Sequence, residues 1–139
     1  MDLSLSTLVG AKSALKAAIL AEVSAGFPVD LGFPDTIQPE CIWISGNADG
    51  DYEYEVSSGE PSGGSLGLTV RALVTYGDNY EGTFARLSTL WDAVTAGAAV
   101  LGRTGSFHPA FGPWEIKEGR STGGVRQMGF MRSIDIAVW

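Results

Sequence analysis

Along Leu66, Leu68, Val70, Ala72, Val74 and Tyr76 every second residue is apolar, while the intervening Gly67, Thr69, Arg71, Leu73 and Thr75 are largely polar. A period of two sets one side of a strand on a core. The period then changes. Phe84, Leu87, Trp91, Val94 and Ala98 recur at helical spacing, and Asp78 with Glu81 three positions later offers a capping-box-like start. The stretch predicts a long strand feeding an amphipathic helix over 80–98. That helix is expected to bury Phe84, Leu87 and Trp91 against the strand face that carries Leu68, Val70 and Ala72.

Upstream, Leu8, Ala11, Leu15, Ile19 and Val23 fall at three- and four-residue steps and predict a helix over 5–25, stopped by Gly26 and Pro28. Three prolines and Gly32 in 27–39 predict an extended connector lying over a surface. Residues 40–45 form a strand pattern, with Ile42 and Ile44 on one face and Cys41 and Trp43 on the other. Apolar groups on both faces call for cover on both sides, or for a partner chain on one. Tyr52, Tyr54 and Val56 alternate with Glu53 and Glu55, which predicts a half-buried strand with an acidic outer face. The nine residues 57–65 (SSGEPSGGS) exceed the two to five or so of a hairpin loop and predict a flexible arm.

Gly97 and Gly102 predict fraying of the second helix, and 102–113 reads as an irregular stretch rich in Gly and Pro. Phe107, Phe111 and Trp114 sit in or beside it, as a local mini-core or a contact surface. A strand over 114–118, a turn over 119–124 and a strand over 130–138, with Ile134, Ile136 and Val138 on one face, close the chain. The fold class is α+β: a mostly antiparallel four- to five-stranded sheet packed by two amphipathic helices. Its 139 residues suit one domain spanning 1–139.

Charge and chemistry narrow the function. A net charge of −7, with nine basic residues scattered along the chain, disfavours a grip on phosphate backbones but allows DNA to pass without adhering. Cys41 is the single cysteine, so an internal disulfide and a multi-cysteine metal site are excluded. Lys12 and Lys16 interrupt the N-terminal apolar stretch, unlike a signal peptide, and no run reaches the roughly 18 apolar residues of a membrane span. A protein made and used in solution is expected.

His108 is the single histidine, and no nucleophile-elbow pattern accompanies it. Asp49, Asp51, Glu53 and Glu55 alternate and could share a sheet face, yet their spacing fails the EF-hand pattern. No phosphate-cradling glycine motif occurs. The expectation is a non-enzyme with no catalytic residue, cofactor or metal.

The order of elements (helix, Pro-rich connector, two strands with an arm, long strand, amphipathic helix, closing strands) resembles the tail terminator proteins of long-tailed bacteriophages, also termed tail completion or minor tail proteins. The local match is best in LTVRALVTYGDNYEGTFARLSTLWDAV, residues 68–94. The resemblance implies a virion protein, assembled in the host bacterial cytoplasm, that forms a hexameric ring on the finished tail tube. Such a ring stops tube elongation and joins the tail to a neck or head-completion protein, while DNA passes through it without specific binding. On that reading Asp49, Asp51, Glu53, Glu55 and Glu60 are candidate lumen or rim carboxylates, and Trp43, Phe107, Phe111 and Trp114 are candidate subunit contacts. Another phage head-tail joining or minor tail protein stays open as an alternative. So does a small soluble binding domain or enzyme of unknown ligand.

Overall fold

A computed structural model describes residues 5–45, 56–57, 64–76, 79–103, 107–120 and 126–138. In chain order these form α1 (Leu5–Leu20), β1 (Val29–Leu31), β2 (Glu40–Ser45), β3 (Val56–Ser57), β4 (Gly64–Tyr76), α2 (Tyr80–Gly102), β5 (His108–Arg120) and β6 (Arg126–Val138). The fold is α+β. The strands make one sheet in the order β1-β2-β4-β6-β5, with β3 paired to β4 beside the end of β2. The sheet is mixed, because β1 runs parallel to β2, and it has six strands among the described residues. The sheet is mostly antiparallel, as expected, with the β1–β2 pair as its parallel exception, and the expected four to five strands are corrected to six.

The alternation of β4 does what its pattern dictates. Leu68, Val70, Ala72 and Val74 are buried on the face that meets both helices, opposite Ile42 and Ile44 of β2 and Met128, Phe130, Ile134 and Ile136 of β6. From α1, Ala11, Leu15 and Ile19 close over this face. From α2, Leu87, Leu90, Val94, Ala98 and Leu101 do the same. Helix and sheet residues thus share one apolar cluster, whose burial from water is the main stabilising term.

Several expected boundaries move. Helix α1 ends at Leu20 and not at 25, because the chain tightens there: Glu22 N–H donates to Ile19 O, one residue short of the helical step. Val23 still packs on the core from outside the helix. Helix α2 is capped by Asn79, whose Oδ1 accepts from Gly82 N–H at 3.0 Å, in place of the expected Asp78 start. It then runs unfrayed to Gly102, since Gly97 is a buried contact with α1 and no helix end. Strand β1, inside the Pro-rich connector, was unexpected; the expected extended path becomes an edge strand.

The predicted irregular stretch over 102–113 and the short strand after it are in fact mostly one strand, β5, thirteen residues long. Its prolines, Pro109 and Pro113, are tolerated because β5 is the outer strand, where a missing N–H breaks no ladder bond. A bulge between Phe111 and Trp114 absorbs Gly112 and Pro113. The arm expected over 57–65 is narrower than its composition suggests: Ser57 pairs with Ser65, and Gly64 already belongs to β4. Residues 58–63, and residues 52–55 of the expected acidic strand, lie outside the described residues.

Candidate functional site

Helix α2 presents its buried stripe through Thr83, Leu87, Leu90, Val94 and Leu101, which leaves Phe84 on its flank at 45% exposure. The expectation that Phe84 is mostly buried is therefore wrong. One residue of helical phase separates Phe84 from the core residue Thr83. Trp91 lies on the same flank, half-buried and packed against the core.

Strand β5 continues the surface that this flank begins. Alternation and register set Trp114 opposite Arg132 and Ile116 opposite Phe130, on the helix side of the sheet. Because β5 is outermost, α2 covers this side only in part, and Trp114 is 61% exposed. Between helix and strand opens a groove of about 250 Å3 whose walls include Phe84, Leu87, Trp91, Trp114 and Ile116, with Phe130 behind them. Two edge-to-face contacts organise it: Trp91 meets Phe130 at 5.1 Å and Trp114 at 5.8 Å, ring centre to ring centre. A cation held between rings adds to them.

Arg132, 8% exposed, is clamped between the rings of Trp91 at 4.0 Å and Phe111 at 3.6 Å. Its Nη1 donates to Thr95 Oγ1 at 2.5 Å, and Thr95 Oγ1 in turn donates to Trp91 O at 3.0 Å. No carboxylate pairs with it among the described residues, and its Nε has no hydrogen-bond partner there. Burial lowers the pKa of the guanidinium from its ordinary value, yet an arginine stays charged at any physiological pH. Alternation in β6 marks position 132 as core, so the sequence carried a signal here: a basic residue on the apolar face of the strand.

The other candidate contact residues disperse. Trp43 is 9% exposed, because Phe33 lies edge-on to it at 5.6 Å on the helix-free side of the sheet. Phe107 is half-buried and packs on the core, and Phe111 covers Arg132 while staying 43% exposed. Of the four, Phe111 and Trp114 share the β5 surface; Trp43 belongs to the far side of the sheet. The candidate carboxylates Asp49, Asp51, Glu53, Glu55 and Glu60 lie outside the described residues.

His108 lines a second depression with Thr95, Pro109 and Phe111. Cys41 is buried, and desolvation pushes its thiol above the ordinary value, with Asp30 adding to the rise and a backbone hydrogen bond from Gln38 opposing it. A thiol held this way is a packing group. Among the described residues no helix is long and apolar enough to cross a membrane, and no three metal-ligating side chains converge. No family model matches the chain, and no curated protein matches it.

Proposed function

We propose that this chain is a non-enzymatic assembly subunit of the phage tail terminator kind, which caps the tail tube as an oligomeric ring, stops its elongation and joins the tail to the neck. One observation carries the reading: an outer strand of thirteen residues bears exposed Trp114 and Ile116 beside the exposed Phe84 of α2. Large aromatic and aliphatic groups clustered at an open sheet edge are what a protein–protein contact requires. In this proposal the partners are further copies of the chain, the tail tube protein and a neck or head-completion protein. The carboxylates of 49–55 and Glu60 are assigned to the bore or its rim, where negative charge keeps passing DNA from sticking.

The test is genetic and structural. Particles assembled without this chain should show tail tubes of uncontrolled length that fail to join heads, visible by electron microscopy. Tubes of normal length joined to heads in its absence would overturn the proposal. The apolar groove favours a second reading, a small binding domain for an apolar ligand. In that case an apolar fluorescent probe should bind a monomeric protein stoichiometrically and quench Trp91 and Trp114.

A further inference from the structure

The edge of the sheet opposite β5 is also apolar. There Leu31 of β1 and, in the connector after it, Phe33 and Ile37 are exposed, Phe33 at 69%. Leu31 is in register with Ile44, whose side faces the helices, whereas Phe33 leans on Trp43 on the other face, so apolar groups straddle this edge. Two dissimilar apolar edges separated by four strand spacings, roughly 19 Å, suit a head-to-tail contact in which each copy offers one edge and receives the other.

Charge sorts the two edges further. Residues 21–40 contain Glu22, Asp30, Asp35 and Glu40 and no Lys or Arg; among the described residues only Glu40 of these has a cationic partner, Arg86 at 2.8 Å. The β5–β6 hairpin carries a small excess of the opposite sign, with Lys117, Arg120, Arg126 and Arg132 against Glu115, Glu118 and Asp135 in a chain of net charge −7. Asp92 on the groove wall adds one further carboxylate beside it. Behind the groove Arg132 is a buried cation without a carboxylate among the described residues, and such a charge favours an acidic visitor.

We infer that the β5/α2 groove of one copy receives the β1 edge of a second copy, with Leu31, Phe33 and Ile37 against Trp114, Ile116 and Phe84, and with Asp30 and Asp35 facing the basic hairpin. The contact rests on the self-assembly proposed above and names its two halves. Repetition of one heterologous contact closes a ring when the rotation between copies is right.

The experiment uses two blocked variants of the full chain, Trp114→Arg and Phe33→Arg, each changing a mostly exposed side chain. Circular dichroism and urea unfolding confirm that each folds. Either variant alone should self-associate about thirtyfold more weakly or worse, the loss expected of an interface anchor. Mixed together they should form a species of two subunits and no larger one, because each supplies the edge that the other has lost. Ile116→Lys and Ile37→Arg repeat the two blocks at separate positions. If the unaltered chain forms a closed oligomer and both variants still do, this contact is wrong while self-assembly stands. If Trp114→Arg abolishes a dimer that Phe33→Arg leaves intact, β5 pairs with β5 of the second copy, with Glu115 opposite Lys117, and the head-to-tail contact is overturned. An unaltered chain that stays monomeric at every concentration overturns the contact and the assembly proposal together.

Discussion

A Cβ placed on Gly97 would come within 2.9 Å of Ile19 Cγ1, 3.1 Å of Ile19 N and 3.2 Å of the Ala18 carbonyl carbon. Two of these atoms are backbone, so the helices would have to separate. Gly97→Ala should lower stability by about 1–2 kcal/mol in urea unfolding, the overpacking cost outweighing the gain in helix propensity. Gly10 meets nothing within 4 Å on exposed α1 surface, so Gly10→Ala should instead raise stability by about 0.5–1 kcal/mol. Cys41 gives a prediction in pH. Its thiol sits above 9.0 in the folded chain and near 9.0 in the unfolded one, so the unfolded state releases its proton first as pH rises. Stability from this group is intact below pH 9.0 and is lost progressively above it, a slope that should vanish in Cys41→Ala when unfolding is compared at about pH 8 and about pH 10.5. What the residue pattern revealed and what it hid have one physical boundary. Period-two alternation identified Leu68, Val70 and Ala72 as core because successive strand side chains point to opposite faces. Helical spacing fixed a stripe without fixing its centre, and an error of one residue exposed Phe84 in place of Thr83.

At the scale of elements, β4 and α2 were legible because each repeats its period over three or more turns or pleats. β1 and the first half of β5 were not, since three residues carry no period and prolines mark turns as readily as outer strands. The basic residue of β6 was visible in the pattern, yet its burial depends on Trp91 and Phe111, which arrive from two other elements. Trp91 therefore links α2, β5 and β6. Trp91→Ala should cost about 3 kcal/mol, the lower end for a large aromatic because its side chain is half-buried, and it should loosen Trp114 and Arg132 together. A loss below 1 kcal/mol or so would mean the clamp contributes nothing to folding. The pair of Arg86 Nε and Glu40 Oε2, which ties α2 to β2 across 2.8 Å, is about one-third exposed at each end. A double-mutant cycle should give about 0.5 kcal/mol, fading at high salt.

At the scale of the whole molecule, the two helices cover one face of the sheet, and among the described residues both outer strands are open, β1 on one side and β5 on the other. The sequence pattern left Phe107, Phe111 and Trp114 as a local mini-core or a contact surface, and the apolar groups at the other edge of the sheet were hidden in the connector. Leu31, Phe33 and Ile37 have no shared period, and only the pairing of β1 with β2 brings them to one edge. A chain with two such edges is expected to be incomplete alone. Its mass in solution is the most direct measurement. Light scattering across a concentration series should give a discrete closed oligomer, larger than a dimer, whose size stops growing as concentration rises. A single-subunit mass sustained at the highest concentration would contradict assembly as the proposed function.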